Sequence, residues 1–147
     1  MSKQATIPCL ECEEASSSVP YKTILHHLQS PLNFQLETGD YYFCSSPKCI
    51  VTYFDQAGHT FHTDNMREEV GQKSSAHDRT ICYCFDITAN QIETELKDQG
   101  TSISKEKVIH LTRAKLCACD IRNPAGSCCL SAFIKFEKQY KKESDSL

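Results

Sequence analysis

Tyr41-Tyr-Phe-Cys44-Ser-Ser-Pro-Lys-Cys49-Ile-Val-Thr-Tyr-Phe54 is the stretch on which the fold turns. Aromatic and β-branched residues on either side of a Ser- and Pro-bearing turn predict two short strands, Tyr41 to Phe43 and Ile50 to Phe54. Pro47 and the serines favour a tight turn that brings Cys44 and Cys49 to one side. Asp55-Gln56-Ala57-Gly58 then predicts a hairpin turn into Thr60 to Thr63, giving a small antiparallel sheet. Upstream, Cys9-Leu-Glu-Cys12 is a C-x-x-C knuckle. Four soft thiolates at these spacings, Cys9, Cys12, Cys44 and Cys49, suit a closed tetrahedral Zn2+ site. His59 and His62 are spaced like a metal-binding pair, but strand alternation separates their faces, so they read as surface or core residues, as do His26 and His27. Between Val19 and Leu36, the apolar residues Ile24, Leu25 and Leu28 predict a short helix bounded by Pro20 and Pro31.

The second half changes period. Asp86 or Thr88 can cap a helix carrying Ala89, Ile92 and Leu96, which Gly100 ends. Ser104 can cap a second helix with Val108, Ile109 and Leu111. Ser127 can cap a third, in which Leu130, Phe133, Ile134, Phe136 and Tyr140 form one apolar stripe. The charged segment from Lys138 to Leu147 is expected to fray. The chain thus reads as α+β: a zinc-binding β module over residues 1–65, a polar linker over 66–80, a helical module over 81–143 and a tail over 144–147.

Composition narrows the function. The 147 residues carry 16 Lys and Arg against 19 Asp and Glu, for a formal charge of −3 and a pI near 6.0. That disfavours nucleic-acid binding, which calls for a basic face. No window has the apolar length to span a membrane, and the opening residues lack the apolar core of a signal peptide, so membrane insertion and export are not expected. Ten cysteines in such a chain then read as metal ligands or redox groups rather than disulfides. Glu93, Glu95 and Asp98 sit at exposed helical spacing and read as a solvated face. Neither a phosphate-cradling loop nor a nucleophile–base pair stands out, so no catalytic residue is assigned.

The remaining cysteines form a second set: Cys82-Tyr-Cys84, Cys117-Ala-Cys119 and the adjacent Cys128 and Cys129. A two-iron cluster needs four thiolates, two per iron; a C-x-C pair can serve one iron and a later pair the other. Helix N-termini beside Gly126 would offer N–H groups to an anionic cluster. A second zinc fits the same spacing.

Cys82-x-Cys84, a helical hairpin and distal cysteines opening another helix resemble the BFD-like two-iron ferredoxin domain, named for bacterioferritin-associated ferredoxin. Over nearly the whole chain, the run from Tyr41 to Phe54, Ile81-Cys-Tyr-Cys84 and Cys119-Asp-Ile-Arg-Asn-Pro-Ala-Gly-Ser-Cys-Cys129 resemble the N-terminal part of the CopZ copper-chaperone family. The resemblance implies a small zinc-bound antiparallel β module packed on a BFD-like helical 2Fe-2S module, cytoplasmic, that reduces Cu(II) to Cu(I) for chaperoning or export. It places Zn2+ on Cys9, Cys12, Cys44 and Cys49, and the 2Fe-2S cluster on Cys82, Cys84, Cys119 and one of Cys128 or Cys129. Its partners would be a redox donor and a copper carrier or copper-transporting ATPase. Cys117 and the unused thiol of the adjacent pair are candidates for transient Cu+ binding, or are small buried residues. The family's heavy-metal-associated domain is not expected after Leu147, so the redox part is expected to act alone or beside a separately encoded carrier. A general BFD-like electron carrier and a structural or regulatory zinc-only module are the alternative functions.

Overall fold

In the computed structural model, which describes residues 6–74 and 76–145, the first half is an antiparallel sheet whose strands lie side by side in chain order. They are β1 (Ile7–Pro8), β2 (Ala15–Val19), β3 (Tyr41–Phe43), β4 (Val51–Phe54) and β5 (Thr60–His62). The expected strands and hairpin are present. Strands β1 and β2 are additions: Ala-Ser-Ser-Ser-Val has weak strand propensity, yet pairing places Ser17 opposite Phe43 and Val19 opposite Tyr41. Every residue of β4 is buried. A register shift between Val51 and Tyr53 breaks simple alternation, so Val51 and Phe54 pack with Cys9, Cys44 and Cys49 while Tyr53 joins Val19, Ile24, Leu28, Tyr41 and Phe43. One central strand thereby serves both the cysteine centre and the apolar core.

Between β2 and β3 the expected helix is split into α1 (Tyr21–His27) and α2 (Leu32–Gln35), with Pro20 and Pro31 at their starts. Proline fits there because the first helical turn has no use for its missing N–H. Ile24 and Leu28 anchor this segment in the core.

The second half opens with a hairpin, β6 (Thr80–Cys82) and β7 (Ile87–Thr88), followed by α3 (Ala89–Gln99), α4 (Ile103–Arg113), α5 (Cys119–Arg122) and α6 (Leu130–Asp145). Thr88, one of the two expected caps, accepts the Gln91 amide at 3.3 Å, and Gly100 ends α3 with its N–H on the Leu96 carbonyl at 2.9 Å. The cap of α4 is Ser102 rather than Ser104: Ser102 accepts the Lys105 amide at 3.1 Å, while the Ser104 hydroxyl is taken by Glu95. Glu95 is therefore not a simple solvated residue; it ties α3 to the start of α4. Cys129, not Ser127, precedes α6, because Ser127 is held in the preceding turn by Asn123. The stripe of α6 centres on Phe133 and Tyr140, which leaves Ile134 at its margin and 47% exposed. The segment from Lys138 does not fray at once: α6 continues to Asp145, and Ser146 and Leu147 lie outside the described residues.

The segment expected to be a linker is packed. Met66 and Val70 enter the core of the first half. Gly71 passes so close to β6 that a Cβ there would stand 2.1 Å from the Thr80 carbonyl oxygen, and its N–H donates to the Tyr83 hydroxyl. Further bonds cross directly between the halves: Tyr53 donates to the Pro124 carbonyl, Thr23 to that of Asp120, and the His27 ring contacts that of Ile121 at 2.8 Å. Among the described residues no helix is long and apolar enough to cross a membrane.

Candidate metal centres

The first centre is assembled by two sheet turns. In the β1–β2 turn, Glu13 adopts φ 66°, which lets its N–H reach the Cys9 carbonyl at 3.0 Å while the Glu11 N–H points at the Cys9 sulfur at 3.5 Å. The β3–β4 turn supplies Cys44 and Cys49. The sulfurs of Cys9, Cys12, Cys44 and Cys49 all lie within 4.8 Å of one another, with Cys9–Cys49 at 3.9 Å and Cys12–Cys44 at 3.5 Å. Neither His59 nor His62 belongs to this set; His59 instead bonds Asp55, and the His62 amide bonds Asn65.

Three of these cysteines are buried and Cys12 is exposed. Burial pushes the Cys44 thiol up to about 12 and raises Cys49 as well. Cys12 resists its own desolvation, because hydrogen bonds from the Glu14 N–H and neighbouring thiols hold it below the usual 9.0. Four sulfurs this close cannot all ionise unaided, since like charges in a poorly solvated site repel. A divalent cation removes that conflict and displaces the protons, so the donor set fits tetrahedral zinc. Lys73 braces the same loop through the carbonyls of Ser46 at 2.8 Å and Cys49 at 3.1 Å. Sequence reasoning missed Lys73, since a lone lysine in a polar stretch carries no local signal.

The second centre is made of chain ends and turns. Cys82 closes β6, Cys84 lies in the β6–β7 turn, Cys119 opens α5 and Cys129 immediately precedes α6. Their sulfurs form two close pairs, Cys82–Cys129 at 3.2 Å and Cys84–Cys119 at 3.1 Å, linked by Cys119–Cys129 at 3.9 Å. Of the adjacent thiols it is thus Cys129, buried, that joins the others, whereas Cys128 is exposed and Cys117 half-buried. A thiol hydrogen bond from Cys129 lowers Cys82 to about 7 and raises Cys129 itself; burial pushes Cys119 up to about 11. Protons are held between sulfurs in apolar surroundings of Ile92, Val108 and Phe133.

Asn123 holds the loop that presents Cys129. Its side chain donates to the Ser127 carbonyl at 2.8 Å and accepts from the Ala125 N–H at 3.0 Å and from Gln72 at 2.8 Å. Gly126, at φ 68°, completes the turn against the first half, where a Cβ would lie 2.9 Å from Pro20 Cδ. The Ala118 N–H donates to the Cys84 sulfur at 3.2 Å, the kind of bond that stabilises a charged thiolate. The close pairs cross the expected grouping: Cys82 lies with Cys129 and Cys84 with Cys119, rather than the C-x-C pair together and the later pair together, and four thiols with a backbone donor are the number of ligands that a two-iron cluster needs.

The model of the zinc-binding domain zf_CopZ matches residues 6–67, which contain all of the first centre. The copper chaperone CopZ of Archaeoglobus fulgidus is 32% identical over 122 residues, covering 82% of this chain and 57% of its own length. The chain therefore spans little more than half of that relative. The X-ray structure of the N-terminal domain of Archaeoglobus fulgidus CopZ superposes with a TM-score of 0.73 at 28% identity, covering 88% of this chain and 96% of that one.

Proposed function

The chain belongs to the CopZ family, in its zinc-binding N-terminal part, and on that footing we propose a redox role in copper handling: one-electron reduction of Cu(II) to Cu(I) by a protein carrying one structural zinc and one 2Fe-2S cluster. The observation that carries this reading is the contrast in sulfur geometry, one mutual set of four in the first centre and two close pairs in the second. When bound, the cluster supplies the single-electron chemistry that Cu(II) requires.

The protein residues do the rest. Cys9, Cys12, Cys44 and Cys49 hold zinc and fix the sheet on which the second half rests. Cys82, Cys84, Cys119 and Cys129 hold the cluster, and the Ala118 N–H to Cys84 adjusts its charge balance. Ile92, Val108 and Phe133 keep water from its inner flank. Cys128 and Cys117 are left outside both sets, and soft thiolates there favour the Cu(I) product over Cu(II). In this reading the protein works in the cytoplasm, with a separate carrier or a copper-transporting ATPase receiving the ion.

The test is the visible spectrum of protein purified without oxygen, with iron, sulfide and zinc measured on the same sample. A red-brown protein with about two irons, two sulfides and one zinc is expected, and it should reduce Cu(II) with one electron per cluster. Colourless protein that resists reconstitution would replace this reading with a zinc-only module. A red-brown protein that reduces other acceptors as readily as Cu(II) would leave a general electron carrier.

A further inference from the structure

The turn between α4 and α5 presents an exposed, fixed surface beside the second centre. Arg113, Ala114, Lys115 and Leu116 are all exposed, and Leu116 projects 65% of its surface as an unpartnered apolar side chain. Lys115 adopts φ 61°, a left-handed conformation that glycine would fill at lower cost. The hydrogen bonds Lys115 N–H to Thr112 O at 3.0 Å and Leu116 N–H to Leu111 O at 3.0 Å fix it there. Two residues later, the Ala118 N–H touches the Cys84 sulfur at 3.2 Å.

Charge sets this surface apart. Residues 107–122 carry Lys107, Arg113, Lys115 and Arg122 against Asp120 alone, within a chain whose formal charge is −3. Asp120 is already engaged by Lys22 at 3.6 Å, whereas Arg113, Lys115 and Arg122 have no ion-pair partner among the described residues. The turn also leads to the least buried sulfur of the second centre: Cys84, which the Ala118 N–H contacts, is half-buried, while Cys82, Cys119 and Cys129 are buried.

We propose that the α4–α5 turn docks an acidic one-electron carrier protein, with Leu116 as the apolar contact and Arg113, Lys115 and Arg122 as the steering charges. This rests on the redox reading of the second centre: the carrier loses one electron and the bound cluster gains it. The acidic remainder of the chain repels such a partner and thereby orients it, since complementary charge acts mainly on encounter and register.

The probe is an acidic plant-type ferredoxin, with basic cytochrome c as the charge control, and binding to the intact protein is followed by calorimetry and by backbone amide shifts. Binding should weaken at least tenfold between about 20 and about 300 mM salt, with shifts centred on residues 113–118. The double variant Arg113→Glu/Lys115→Glu should lose at least tenfold in affinity and Leu116→Ser several-fold, while Lys141→Glu/Lys142→Glu on α6 changes little. Zinc content and circular dichroism verify that each variant is folded. Equal binding by all variants, tighter binding of cytochrome c, or preferential capture of duplex DNA at this turn would overturn the proposal. Cluster content, read from the absorption of the same samples, separates the two failures: missing colour overturns the redox reading, and charge-independent binding by coloured protein overturns the docking surface.

Discussion

The two cysteine centres contrast in how the backbone presents sulfur. In the first, both ligand pairs sit in turns of adjacent hairpins of one sheet, and strand pairing alone brings them face to face. In the second, the sulfurs come from a strand end, a turn, a four-residue helix and a loop, so several tertiary contacts must agree before they meet. A centre closed on itself by a sheet serves stability. In the second, three sulfurs are buried and Cys84 is half-buried, and under the proposed redox reading Cys84 is the ligand through which electrons would pass.

If the first centre is a folding device, Cys44→Ser should have the largest effect. Zinc should fall from one equivalent to near none and the sheet of the first half should melt, because a structural zinc contributes about 10 kcal/mol or more of folding free energy. Unchanged zinc and melting temperature would erase the distinction between the centres. The second centre gives a sharper discrimination between neighbours. Cys129→Ala should abolish the visible absorption of the cluster, whereas Cys128→Ala should keep it and slow only Cu(II) reduction; the reverse pattern would transfer the ligand role to Cys128.

The dependence of one centre on the other can be tested at Tyr53. Its hydroxyl is buried and pushed well above its ordinary pKa by desolvation, and it donates to the Pro124 carbonyl in the loop that presents Cys129. Tyr53→Phe leaves that carbonyl unpaired and should cost about 1–3 kcal/mol in chemical denaturation. The cluster should be lost at lower denaturant than zinc.

The smallest effect is expected at the β4–β5 turn. Desolvation opposes the ionisation of Asp55, but the His59 ring at 2.8 Å and the amides of His59 and Ala57 hold the carboxyl below 3.8, and Asp55 in turn raises His59 above 6.5. The Asp55 contribution is present above its unfolded value and lost as pH falls through its lowered folded value. That of His59 is complete below its unfolded value and lost as pH rises through its raised folded value. Ring titration of His59 by NMR, with exchange of the Ala57 amide, should show the tightest turn between those limits. Zinc affinity should not follow the His59 titration, because His59 lies outside the sulfur set.

Much of this was legible in local pattern. The aromatic strands, the knuckle spacings and the Thr88 and Gly100 helix boundaries depend on neighbours in sequence, and they appear where expected. Errors fell where a distant residue competes: Glu95 takes the Ser104 hydroxyl and leaves the cap to Ser102, and Asn123 holds Ser127 away from α6. The Ser-rich strand β2 was invisible because its order comes from β3 rather than from its own side chains.

By itself the sequence determined that this is an α+β chain with a four-thiolate first centre and a second cysteine set, because turn chemistry and ligand spacing are local properties of the backbone. Only the tertiary structure decided that Cys129 rather than Cys128 joins Cys82, that Lys73 braces the first centre, and that Cys84 is the least buried of the four sulfurs in the second. Adjacent cysteines have equal chemistry, and the packing of Gly126 against Pro20, with the Asn123 turn behind it, selects the sulfur that faces inward.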